Sequence, residues 1–93
     1  MKIAKNNQDL KRLYQAVLKL ESVDECKKFF RDLCTIDELG SMAERFVVVK
    51  MLDQKISYRE ISKKTGSSTA TVTRVAHWLH HGKGGYKLIL GRT

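Results

Sequence analysis

The sequence predicts an all-α protein of five or six helices, and three features carry that expectation. No proline interrupts the 93 residues, so no helix interior loses a backbone donor to a pyrrolidine ring. Apolar residues recur at three- and four-residue spacing over most of the chain, the period of one helix face. The pattern Ser/Thr-x-x-Glu appears at Ser22/Glu25, Thr35/Glu38 and Ser57/Glu60. Each is a capping box, in which a hydroxyl and a carboxylate satisfy the free amide donors at a helix start.

The elements follow in order. Residues 1–8 are polar and expected to fray. From Asp9 to Leu20, the residues Leu10, Leu13, Tyr14, Val17 and Leu18 form one stripe. Ser22 opens a second helix with Cys26, Phe29, Phe30 and Leu33 on one face. Thr35 opens a third, predicted to run to about Asp53, with Leu39, Met42, Phe46, Val49 and Leu52 as its stripe. Val47, Val48 and Met51 widen that stripe. A helix apolar on most sides is buried on most sides, so in a chain this short a second copy is expected to cover part of it. Ser57 opens a helix from Tyr58 to about Thr65, stopped by Gly66. Ser67 or Ser68 caps a fifth helix to about His80, ended by Gly82, Gly84 and Gly85. The tail "YKLILGRT" is compatible with a helical turn, a strand or an arm packed on a partner. The whole reads as a single domain, 1–93. Residues 9–53 are its dimerisation helices, 57–81 a helix-turn-helix unit and 82–93 a C-terminal tail.

The net charge is +8, from 18 basic and 10 acidic residues. That balance favours polyanionic partners, nucleic acid before an acidic membrane surface. No apolar run reaches the roughly 18 residues of a membrane span, and no signal peptide is visible. Cys26 and Cys34 in one helix would lie about 12 Å apart along its axis, too far for a disulfide. They are expected to be buried, reduced core residues, and the protein to be cytoplasmic.

"SYREISKKTGSSTATVTRV", residues 57–75, carries the functional expectation. Two short helices joined by a tight glycine-containing turn form the DNA-binding helix-turn-helix. Ile61, Val72 and Val75 are apolar where the two helices must pack, and Ser62 is small where they cross. The second helix of such a unit enters the major groove by its N-terminal end. Ser67, Ser68, Thr69, Ala70, Thr71 and Thr73 keep that end free of bulk. Short hydroxyls reach phosphates or base edges, and methyl groups meet thymine methyls. Arg59, Lys63, Lys64 and Arg74 suit phosphate contact, and Arg59 is also placed to reach a guanine edge. The plainer reading is a helical hairpin whose serines and threonines only cap and meet solvent. It does not account for the glycine, the buried-position pattern and the basic charge together.

"DELGSMAERFVVVKML", "SYREISKKTG" and "STATVTR" together resemble the tryptophan-repressor superfamily. The similarity is greatest to its YerC/YecD-type branch, whose members tend to end in a "GKGGYKL"-like segment. It covers roughly residues 9–80. The resemblance implies an all-helical, intertwined homodimer that binds double-stranded operator DNA through two such units, a transcription regulator acting as a repressor. It also implies an effector pocket at Thr35, Arg45 and Arg74, where paired guanidinium groups would neutralise a carboxylate. Two positions depart from the pattern. Val75 replaces a small glycine beside the ligand ring, and Trp78 replaces a serine near the ligand amino group. Both add bulk there, and Trp78 is placed to fill the pocket from within. No cofactor is expected and tryptophan is disfavoured as corepressor, while another small-molecule corepressor stays open.

His77, His80 and His81 include pairs at helical spacing, but no cysteine or carboxylate nearby in sequence completes a metal set. No metal site is therefore expected. Near a helix C-terminus such histidines complement the dipole and reach DNA phosphates when protonated. No nucleophilic signature or phosphate-binding glycine loop is present, so an enzyme is not expected. Tyr14, Phe29, Phe30 and Phe46 lie on apolar stripes and are read as core. The alternative function, from another class, is a helical dimeric adaptor whose basic face binds an acidic protein.

Overall fold

A computed structural model of the chain describes residues 7–93. Most of the segment expected to fray, residues 1–6, lies outside the described residues. Six helices and no strand are present among the described residues. They fall into two compact units, divided between Thr35 and Ile36.

The first unit holds α1 (Asn7–Val17) and α2 (Val23–Leu33). The expected capping box is made: Ser22 Oγ accepts from the Glu25 amide at 3.1 Å, and Glu25 Oε1 accepts from the Glu21 amide at 2.9 Å. Helix α1 stops at Val17, where the expected stripe runs on through Leu18 to Leu20. There the chain tightens into turns, with the Lys19 and Leu20 amides bonded three residues back. Neither helix buries a residue within one chain. Leu18 and Val23 are 84% and 79% exposed. Tyr14, expected in the core, is 61% exposed. Phe29 and Phe30 are half-buried and pack edge to face. Cys26 and Cys34 are free thiols as expected, but both are half-buried rather than core residues. Cys26 lies in α2, whereas Cys34 ends that helix in extended backbone.

The second unit holds α3 (Ile36–Asp53), α4 (Tyr58–Thr65), α5 (Thr69–His81) and α6 (Gly85–Leu90). Its core is made by Val48, Val49 and Leu52 of α3, Ile61 of α4, and Val72, Val75, Ala76 and Leu79 of α5. The α5 residues follow i, i+3, i+4, i+7 spacing, which places them on one face. Fully burying one such aliphatic side chain contributes about 1.5–3 kcal/mol. Helix α3 enters this core only through its C-terminal half; Met42 and Val47 stay exposed. The tail is the helix α6, which lays Tyr86 and Leu90 against the core.

One turn is unusual. Helix α3 ends with the Ile56 amide bonded to the Met51 carbonyl and the Lys55 amide to that of Leu52. This is a Schellman cap, normally completed by glycine in the left-handed region. Here Lys55 takes that conformation, with φ at 66°. Ile56 and Met51 both pack on the core, the apolar contact that accompanies such caps.

Candidate nucleic-acid interface

Helices α4 and α5 and the turn between them are positioned by local chemistry. Ser57 caps α4, its Oγ accepting from the Glu60 amide at 3.2 Å. Gly66 ends α4 with φ 79° and ψ −1°, its amide bonded to the Ser62 carbonyl. Of the two serines considered for the next cap, Ser68 performs it, accepting from the Thr71 amide at 3.1 Å. Its hydroxyl also donates to Thr71 Oγ1.

The hydroxyl-rich run therefore divides into two sets. Thr65 Oγ1 donates to the Ile61 carbonyl at 2.8 Å and accepts from the Ser67 amide at 3.1 Å. Ser62 Oγ donates to the Ser67 carbonyl. Ser67 Oγ donates to Glu44 Oε2, a carboxylate on α3 and 23 positions away. Ser67, expected among the DNA contacts, is in fact 4% exposed and spends its hydroxyl inside the protein. A buried hydroxyl must find a protein partner, because leaving it unpaired costs kilocalories. Thr71 is half-buried and tied to the cap.

The second set faces outward. Thr69, Ala70 and Thr73 are exposed at the start of α5; Ala70 and Thr73 point away from Val72, Val75, Ala76 and Leu79, while Thr69 is open because it begins the helix. At about 100° per residue Ala70 and Thr73 share a face, with Arg74 beside them. Ser68 is exposed at the tip. On α4, Arg59 and Lys63 are exposed at i, i+4 spacing, opposite buried Ile61. Lys64 is exposed as well and meets Glu60 at 3.9 Å, a surface pair of small energetic weight. The resulting surface carries exposed cations around small side chains at the start of α5.

The effector positions divide differently. Thr35 ends the first unit, while Arg45 and Arg74 lie exposed on α3 and α5 of the second. Val75 is 2% exposed and belongs to the core of the second unit. Trp78 is 54% exposed and edge-on to His77, with its flank along Gly82, Lys83, Gly85 and Tyr86. It therefore does not fill a cavity inside the second unit. His77 and His81 lie near each other, with ring centroids 5.1 Å apart. Among the described residues no group of three or more His, Cys, Asp or Glu is arranged to hold a metal. No described helix is long and apolar enough to cross a membrane.

Sequence reasoning missed Glu44. Its partner lies 23 positions away, so no periodicity or short motif marks it.

Comparison with known proteins places this arrangement. The family model described as Trp repressor protein matches residues 8–93. YerC of Bacillus subtilis, an uncharacterized protein, is 42% identical over 84 residues, covering 90% of this chain and 81% of the relative. A TrpR-like protein from Eubacterium eligens, solved by crystallography, superimposes with a TM-score of 0.87 at 44% identity and 94% coverage of both chains. A solved Trp-repressor-type chain from Staphylococcus aureus gives 0.88 at 42% identity, over 99% of this chain and 93% of that one. With a family model spanning nearly every residue and the same all-helical fold in both solved relatives, the chain belongs to the Trp repressor family.

Proposed function

We propose that the protein is a sequence-specific DNA-binding transcription regulator, a cytoplasmic repressor that works as a homodimer. The observation that carries this reading is the exposed first turn of α5. Thr69, Ala70 and Thr73 leave room for base edges, while Arg59, Lys63, Lys64 and Arg74 supply cations for phosphates. Membership of a family with a regulator fold supports the same reading.

Dimerisation is supported by the first unit. Tyr14, Leu18, Val23 and Leu33 are exposed in a single chain, in two helices that bury none of their residues, and apolar area of that kind marks an interaction surface. A second copy provides the cover and a second α4–α5 unit. Two-fold helix-turn-helix proteins place their recognition helices about 34 Å apart, one turn of DNA. Arg45 and Arg74 remain the residues proposed to neutralise the carboxylate of a corepressor. The bulk of Trp78 argues against tryptophan itself.

Selection of bound duplexes from a random DNA pool, with and without free amino acids, tests the reading. A two-fold-related enriched sequence is the expected product. Thr73→Glu, which adds bulk and negative charge to the exposed face, should abolish enrichment. An unenriched pool would overturn DNA readout and favour an adaptor that uses its basic face on an acidic protein.

A further inference from the structure

We infer that Glu44 is a positioning residue for DNA readout: its carboxylate holds Ser67 and so sets where α5 begins relative to α3. The inference rests on the DNA-binding reading above.

Ser67 is tied down at three atoms. Its amide donates to Thr65 Oγ1 and its carbonyl accepts from Ser62 Oγ, both on α4. Its own hydroxyl donates to Glu44 on α3. The next residue, Ser68, is the N-cap of α5, and the one after, Thr69, opens the exposed face. Two of the ties keep the turn on α4. Among the hydrogen bonds that fix Ser67, the one to Glu44 alone reaches α3. Apolar packing of Val48, Val49 and Leu52 against α5 resists separation of the helices. Hydrophobic contact is non-directional, however, and by itself fixes no particular hydrogen-bond geometry at Ser67. A hydrogen bond to a carboxylate is directional and stronger than one between neutral groups. Glu44 therefore adds a directional restraint between α3 and the residue that precedes the α5 N-cap. Ser67 is also the buried polar residue of this unit, 4% exposed, so its hydroxyl relies on a protein partner, while Glu44 itself stands exposed on α3.

Charge provides a clean discrimination. Glu44→Ala and Glu44→Gln each remove one negative charge, so electrostatics alone makes both bind DNA non-specifically at least as well as the parent. Only the glutamine keeps an oxygen that accepts from Ser67. The test measures affinity for the selected operator and for random duplex at matched salt. In the DNA-free protein it also measures amide hydrogen exchange at Thr71 and Val72, with Val48 and Val49 as core references. Glu44→Ala should lose about tenfold in the specific-to-non-specific ratio and exchange about tenfold faster at Thr71 and Val72. Glu44→Gln should stay within about threefold of the parent in both, and Ser67→Ala should reproduce the loss. Equal behaviour of Glu44→Ala and Glu44→Gln in both measurements overturns the assignment. If the parent selects no DNA sequence, the DNA-binding reading falls by itself, and unchanged exchange in Glu44→Ala would separately overturn the clamp.

Discussion

Replacing Gly66 with alanine changes one backbone angle's cost and little else. Gly66 holds φ 79° and ψ −1°. Its amide bonds the Ser62 carbonyl at 2.9 Å, a bond that alanine can also make. A Cβ built there meets nothing within 4 Å beyond the immediate chain. The loss is then the intrinsic left-handed penalty of an L-residue, about 1–2 kcal/mol. Alanine also restricts the unfolded chain, an opposing effect of up to about 1 kcal/mol. The net destabilisation is about 1 kcal/mol, equivalent to roughly 4–8 °C in Tm for a domain of this size. Thermal melts followed by far-UV circular dichroism, at fixed protein concentration because a dimer's Tm depends on it, measure this directly. Gly66→Asn should lose less, since asparagine tolerates the left-handed region. An unchanged Tm for Gly66→Ala, or an equal fall for Asn and Ala, would refute the claim that φ is what this glycine supplies.

Three further substitutions extend the reasoning. Lys55→Gly, at the non-glycine Schellman position with φ 66°, should raise Tm by a few degrees. It removes about 1–2 kcal/mol of left-handed strain and gives back roughly half of that in chain entropy. Ile61→Ala empties a fully buried position and should lower stability by about 2–5 kcal/mol, read as a lower urea midpoint at unchanged m-value. Lys63→Ala should weaken binding to all duplexes alike and flatten the logarithmic salt dependence by about one unit. A changed sequence preference instead would assign Lys63 to base readout.

Much of the fold is encoded within windows of four residues and was legible there. Ser22, Ser57 and Ser68 start helices because a hydroxyl three residues before an amide satisfies it whatever the rest of the chain does. Gly66 ends α4 because a Cβ disfavours the left-handed turn. Ile61, Val72 and Val75 announce their burial by spacing, and the structure buries all three. Ala70 and Thr73 follow from the same helical phase read on the opposite side, whereas Thr69 is exposed as the first residue of α5.

Other features depended on partners distant in sequence. Ser67 and Thr69 are both small and hydroxylated, so composition does not distinguish them. Ser67 is turned inward by ties to Ser62 and Thr65 of α4 and to Glu44 of α3. The tail's choice of helix follows from the seat that the core offers Tyr86 and Leu90. Lys55 adopts its left-handed turn because the Met51 and Leu52 carbonyls need donors and Ile56 needs the core. Local sequence thus determined where α2, α4 and α5 begin, where α4 stops and which faces of α4 and α5 pack together. Tertiary structure decided which of several equivalent hydroxyls face outward, because hydrogen bonding between distant residues leaves no periodic trace in the chain.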